Sequence, residues 1–145
     1  MTAARSDVDV LAGAALGTAL YVTGHGPQRA HDWPARLRAL RSAAVRVPDG
    51  PLAGVIADAA DRLAGATATA SPAEGAGHDE LVATGAELVC QVLPVLVVHT
   101  PTGARQVRHW LLRIALAVAA TGASPDITVA EQQAVDELDR LMTRG

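Results

Sequence analysis

Two stretches near the end of the chain repeat apolar residues at helical spacing, and this pattern constrains the fold most strongly. The first begins at Thr100-Pro101, where the threonine hydroxyl can cap a helix and the proline needs no amide partner. The second begins at Thr128 and Glu131, whose spacing is that of a capping box. The apolar stripes are Val107, Trp110, Leu111, Ile114 and Val118 in the first, and Ala134, Val135, Leu138, Leu141 and Met142 in the second. The short connection between them predicts an antiparallel hairpin.

Four more helices are predicted upstream of this hairpin. They cover residues 6–22, a stretch after Asp32-Trp33-Pro34, a stretch after Asp49-Gly50-Pro51, and a run from Asp79 that Pro94 should bend. In the first of these helices Gly13 and Gly17 lie four residues apart, which would let another helix approach closely. Residues 65–77 are rich in Ala, Thr, Ser, Pro and Gly, and we expect a mobile loop there.

Composition favours one helical domain over any fold that contains a sheet. The chain has 145 residues, of which 50% are hydrophobic and only 2% are aromatic. Alanine is abundant and favours helices, whereas the alternating Val, Ile and Thr runs that are typical of strands are scarce. The abundance of alanine, together with arginine at every basic position and no lysine, is typical of a GC-rich genome. The sequence therefore predicts a single all-α domain, 1–145, of five or six helices.

Several properties favour a cytoplasmic protein without a membrane partner. The longest uncharged runs, 10–24 and 88–104, are shorter than the roughly 20 apolar residues that cross a bilayer. Asp7 and Asp9 give the segment before the first run the wrong charge for a secretory signal. The lone cysteine, Cys90, has no partner for an internal disulfide and is expected to be buried in a protein of a reducing compartment.

No motif in the chain predicts catalysis, a cofactor or a metal site. The sequence contains no glycine-rich phosphate loop, no Gly-x-Ser-x-Gly and no Cys-x-x-Cys. No two histidines have the spacing that would place both on one helical face, and the Glu-x-x-His pair of di-iron bundles is absent. Cys90 and His99 lie on either side of Pro94, so their side chains need not meet. Catalytic residues, metal ligands and cofactors are therefore all predicted to be absent.

The hairpin sequence resembles that of a known family. Trp110-Leu-Leu-Arg-Ile-Ala-Leu-Ala-Val-Ala, a short connection and Ile127-Thr-Val-Ala-Glu-Gln-Gln-Ala-Val-Asp-Glu-Leu are similar to the closing hairpin of small bacterial all-helical proteins and, more distantly, of the tellurite-resistance TerB-like domain. That resemblance implies a helical scaffold associated with stress response or protein interaction. In TerB-like domains an acidic Asp-Gly turn, suspected of binding metal, joins the two helices. Here residues 121–126 read Thr-Gly-Ala-Ser-Pro-Asp and lack the first acidic residue.

One candidate ligand site lies at the start and along the polar face of the helix that begins at Pro101. Arg105, His109 and Arg113 recur at four-residue steps, and His99 precedes the helix. Cationic donors beside the free amides of a helix N-terminus can hold a carboxylate or a phosphate. The competing interpretation is a solvated face that pairs with acidic side chains of a neighbouring element.

A second candidate site is the segment 29–46, which has five arginines and only one acidic residue. Its local charge is +4 in a chain whose formal net charge is −3. Arg36, Arg38 and Arg41 are predicted to be exposed there and to bind an acidic protein partner or form an ion-pair network. Trp33 is the only aromatic residue in the segment, and the rest of the chain is acidic, so a nucleic-acid partner is disfavoured.

These observations favour a non-catalytic bacterial interaction or accessory protein. Self-association is expected because the Ala- and Gly-rich first helix has little polar surface of its own. The alternative is a helical bundle that binds a small anionic ligand, or acts on it, through His99, Arg105, His109 and Arg113.

Overall fold

The computed structural model describes residues 7–25, 33–66, 78–98, 100–120 and 129–143. Every regular element in these ranges is an α-helix, so the all-α prediction is confirmed. The helices are α1 (Asp7–His25), α2 (Trp33–Ala44), α3 (Ala53–Ala66), α4 (His78–Cys90), α5 (Leu93–Val98), α6 (Pro101–Ala119) and α7 (Val129–Thr143). Most of the predicted mobile loop, residues 67–77, and the predicted cap at Thr128 lie outside the described residues.

Helices α4 and α5 form one helical run with a break in front of Pro94. Because proline has no N–H, it cannot donate to the carbonyl of Cys90, which would be its helical partner. The backbone tightens there, and Val92 N donates to Val89 O at 3.0 Å before Leu96 N resumes the regular pattern to Val92 O. Counted as one bent helix, α4 and α5 bring the described helices to six, within the predicted five or six.

Helix α1 is the centre of the molecule. It packs against α4, α3, α6, α7 and α2, whereas the other helices contact fewer neighbours. Its residues from Leu11 to Thr23 are buried, apart from Gly13 and Leu16, which are half-buried. This agrees with its sequence, because a helix that is apolar on nearly every side can only be stable in a core.

The closest packing in the core is between α1 and α4, at Gly17 and Gly85. A Cβ atom on Gly17 would lie 2.6 Å from Leu88 Cβ and 2.8 Å from Gly85 O. A Cβ on Gly85 would lie 2.6 Å from Gly17 O and 2.7 Å from Tyr21 N. The expectation that Gly17 admits a second helix is therefore confirmed, whereas Gly13 meets only Leu88 Cδ2 at 3.8 Å.

Helix α6 begins and packs as its sequence predicts. The Thr100 hydroxyl accepts a hydrogen bond from Gly103 N at 3.2 Å, which caps the helix, and Pro101 is its first residue. All five residues of its predicted apolar stripe are fully buried. In α7 the predicted apolar face is also buried, with Leu141 half-buried at its edge.

Three buried polar side chains donate hydrogen bonds that hold α2 and the following turn beside α6, in an antiparallel orientation. Arg36 Nη1 on α2 donates to Val118 O near the end of α6 at 3.3 Å. Trp110 Nε1 donates to Ala44 O at 2.9 Å, and Gln106 Nε2 donates to Pro48 O at 2.7 Å. As the chain advances along α2, its partners move backward along α6, which fixes both the direction and the register of the pair.

Gln106 also fixes the turn between α2 and α3. Its Oε1 accepts from Leu52 N at 2.8 Å, so one buried amide satisfies two backbone groups of the turn. Gly50 packs against this amide with φ +155°, a conformation that favours glycine, and a Cβ there would lie 2.5 Å from Gln106 Oε1. No sequence pattern pointed to Gln106.

Gly85→Ala is expected to destabilise the protein, because its new methyl group would meet backbone atoms that cannot move without separating α1 from α4. We expect a loss of about 1 to 3 kcal/mol in the free energy of unfolding, measured by urea denaturation. The matched control is Gly54→Ala in α3, where nothing lies within 4 Å of the new Cβ. That change should stabilise the helix by about 0.5 to 1 kcal/mol. Equal effects of the two substitutions would contradict a steric role for Gly85.

Trp110→Ala is expected to reduce the free energy of unfolding by about 3 to 5 kcal/mol, the range for removing a large buried aromatic side chain. The indole is fully buried, and its loss also leaves Ala44 O without its donor. The free energy is measured by chemical denaturation, with Leu116→Ala on the exposed side of the same helix as the control. A melting temperature for Trp110→Ala within a degree or two of the parent would rule this out.

Candidate interaction surface and a polar cleft

The predicted ligand residues of α6 lie on its solvent side. Arg105, His109 and Arg113 are exposed, and their angular positions on the helix fall within about a quarter of a turn. Among the described residues no ion pair involves any of the three. His99, the fourth predicted residue, lies outside the described residues.

Of the predicted partner residues on α2, Arg36 does not belong to the surface. It is 4% exposed, and besides Val118 O its Nη1 donates to Thr23 Oγ1 at 3.5 Å. The expectation of an exposed Arg36 was wrong, because the helical face that carries it also carries Leu37 and Leu40 into the core. Arg38 is exposed, whereas Arg41 is half-buried and its Nε donates to Leu37 O at 3.5 Å.

The structure brings the two candidate sites together, because α2 and α6 are neighbours. Residues 33–48 and 100–120 contain seven of the twelve arginines and no acidic residue. Six of these seven arginines are exposed or half-buried, and only Arg36 is inside. We call the solvent side of α2, the turn after it and α6 the α2/α6 face; it comprises Arg38, Arg41, Arg46, Arg105, His109 and Arg113.

The α2/α6 face also carries exposed apolar side chains. Among the described residues the large hydrophobic side chains that are exposed are Val45, at 65%, and Leu116, at 42%. Val45 directly follows α2, and Leu116 lies on the same side of α6 as Arg105 and Arg113. A single exposed leucine or valine is ordinary, but both lie among arginines that lack acidic neighbours on their own helices.

Negative charge is concentrated on other helices. Helix α4 carries Asp79, Glu80 and Glu87 and no arginine, and all three carboxylates are exposed. On α3, Asp58 and Asp61 are exposed, and Arg62 forms an ion pair with Asp9 of α1. Helix α1 lies between the basic side at α2 and α6 and the acidic stretch at α4, whereas α7, which also carries carboxylates, packs beside α6, where Asp139 pairs with Arg108.

A small polar cleft lies elsewhere, between α1 and α7. It has a volume of about 220 Å³ and is lined by Tyr21, Glu137, Arg140 and Leu141. The Tyr21 hydroxyl donates to Glu137 Oε2. No sequence pattern pointed to this cleft, and the Glu137 side chain that lines it is half-buried. The only available signal was the lone tyrosine at the end of an apolar helix, and no pattern links positions so far apart.

The cleft changes the acid-base behaviour of Tyr21. Burial raises the pKa of its phenol well above the ordinary value of 10, and the hydrogen bond to Glu137 and that carboxylate's negative charge raise it further. Arg140 acts in the opposite direction, and the Cys90 thiol on α4 is close enough to add a small increase in pKa. The hydroxyl is therefore held neutral as a donor, which gives Tyr21 a structural role between α1 and α7.

Within the described ranges, no three His, Cys, Asp or Glu side chains converge to hold a metal ion. The turn 121–126, compared above with the acidic turn of TerB-like domains, lies outside those ranges. Cys90 is half-buried, which corrects the expectation of a buried thiol. In the same ranges, no helix is both long and apolar enough to cross a membrane.

The chain was compared with protein-family models, curated proteins and solved structures. None of the three comparisons finds a match. The TerB-like resemblance therefore stays a prediction, and the interpretation of the site depends on its own geometry.

In Tyr21→Phe, the free energy of unfolding should no longer show the decrease at alkaline pH that is expected of the parent. Because the folded state raises the pKa of Tyr21, the unfolded chain ionises first, so the parent loses stability as pH rises above about 10. At about pH 7 the variant should be less stable by about 1 kcal/mol, since it lacks the bond to Glu137. The difference should shrink above about pH 10 in urea unfolding experiments.

Direct titration of the parent tests the same pKa. The chain has one tyrosine, so the near-ultraviolet absorbance of tyrosinate reports on Tyr21 alone. Titration of the folded protein at the ordinary value of 10 would contradict the buried, hydrogen-bonded phenol.

Proposed function

We propose that this protein is a non-catalytic helical interaction module that binds an acidic protein surface through the α2/α6 face. The observation that carries the proposal is the segregation of charge, since six arginines and no acidic residue lie on the adjacent helices α2 and α6, and Arg46 follows α2. The lone, half-buried Cys90 fits a reducing compartment, and we propose a bacterial cytoplasm as its location.

The composition of the α2/α6 face supports a protein partner. Protein interfaces combine arginine with apolar side chains, and here Leu116 and Val45 are exposed among the arginines. Complementary charge would orient an acidic partner and speed its association, while desolvation of Leu116 would slow its release. Among the side chains that the structure describes on this face there is no Trp, Tyr or Phe on which a nucleic-acid base could stack.

The arrangement favours a broad partner over a small anion. Arg105 and Arg113 are eight positions apart in α6, which is about 12 Å along the helix axis. Both side chains are exposed on the outside of one helix, whereas small-molecule sites are concave and bury most of the ligand. A carboxylate or phosphate would therefore contact one arginine at a time, and a surface with several carboxylates would contact both.

The test uses a labelled helical peptide rich in Glu and Leu as the probe. Arg105→Gln/Arg113→Gln should weaken its binding about tenfold, or about 0.7 kcal/mol for each arginine, at low salt. The matched control is Arg62→Gln/Arg140→Gln, which removes the same charge from α3 and α7 and should leave affinity nearly unchanged. Arg36 is left intact because it is buried.

Three results would overturn the proposal. Equal weakening by both double variants would mean that only net charge attracts the peptide. Equal affinity for a peptide with Lys in place of Glu would remove the role of charge. Tighter binding of a DNA duplex that carries as many negative charges as the peptide would favour a nucleic-acid partner instead.

A further inference from the structure

We infer that the acidic surface bound by the α2/α6 face is helix α4 of a second copy of this chain, in a head-to-tail arrangement. This inference rests on the proposed function and identifies its partner. The small residues of α1, which suggested self-association from the sequence, are used within the chain against α4. The argument for a second copy therefore comes from the surface.

The exposed side of α4 forms an acidic stripe whose central residues have small side chains. Glu80, Ala83, Thr84 and Glu87 are all exposed, and their spacing places them on one face of the helix. The two glutamates are seven positions apart, about 10 Å along the axis. Between them the side chains are small, so another helix can approach closely.

The α6 stripe has the complementary pattern. Arg105 and Arg113 are about 12 Å apart along the axis, which is close to the spacing of Glu80 and Glu87, given the length of arginine side chains. Leu112 is half-buried and Leu116 exposed on the same side of α6. When the arginines meet the glutamates, His109 lies opposite Ala83 and Thr84, whereas Leu116 lies about 4.5 Å beyond Arg113 along the axis, at the end of the stripe.

The two stripes cannot meet within one molecule. Gly85 of α4 faces Gly17 of α1, and α6 packs on α1 as well, but α4 and α6 have no substantial packing with each other. Helix α1 therefore separates the basic side from the acidic side. Contact between these two stripes therefore requires two copies, and because the two surfaces differ, each added copy leaves one of each kind free.

The arrangement predicts association that depends on concentration and salt. In sedimentation velocity at low salt, the parent should sediment as species larger than a monomer. Near 0.5 M salt the association constant should be at least about tenfold lower, because exposed charges are screened. A parent that stays monomeric at low salt and high concentration would overturn the inference.

Charge reversal gives a sharper test of which surfaces meet. Arg105→Glu/Arg113→Glu and Glu80→Arg/Glu87→Arg should each be monomeric alone, because each presents two like-charged stripes. Their equimolar mixture should associate again, since every acidic stripe of one variant meets a basic stripe of the other. Recovery in the mixture also shows that both variants are folded.

The control variant is Asp58→Arg/Asp61→Arg, which changes net charge as much as the α4 variant but on α3, and it should associate like the parent. A mixture that stays monomeric, or a control that dissociates, would overturn head-to-tail association. The peptide experiment is independent of this outcome, because a protein that binds the acidic peptide through α6 but stays monomeric retains the proposed function and has another acidic partner.

Discussion

The backbone contact between α1 and α4 is the constraint on which the rest of the structure depends. Gly17 and Gly85 leave no room for a side chain between the two helices, so α1 lies deeper than a helix with larger residues could. Its other sides are then covered by α3, α6, α7 and α2. The small residues of α1 therefore determine which helix is central and, through that, which surfaces the outer helices present.

Polar groups in the interior decide the orientation of the outer helices. Apolar packing alone tolerates several registers, whereas a buried N–H or C=O that loses its partner costs about 1 to 3 kcal/mol. Gln106 and Trp110 of α6 donate to Pro48 O and Ala44 O, in the turn after α2 and at the end of α2, and Arg36 of α2 donates to Val118 O of α6. A shifted α2 would leave all three unsatisfied, so these bonds select a single register.

That register has a consequence for the surface. Because α2 packs beside α6, two basic segments about sixty residues apart in the chain form one face without acidic side chains. Because α1 is central and α4 packs on it directly, the carboxylates of α4 are kept away from this face. The charge segregation behind the proposed function is thus a result of core packing. Arg36 shows the same dependence, because packing buries this one arginine of α2.

The sequence by itself determined the elements. Apolar periodicity and caps predicted the start of α6 at Thr100-Pro101, its buried stripe and the break before Pro94, because these depend on neighbours within one or two turns. The four-residue spacing also predicted that Arg105 and Arg113 share the polar face of α6. Only the tertiary structure decided which helices adjoin, and therefore that Arg36 is inside, that the α2 and α6 arginines share a face, and that Tyr21 meets Glu137. Such contacts join residues far apart in the chain, and periodicity tells which side of a helix is buried but not which helix covers it.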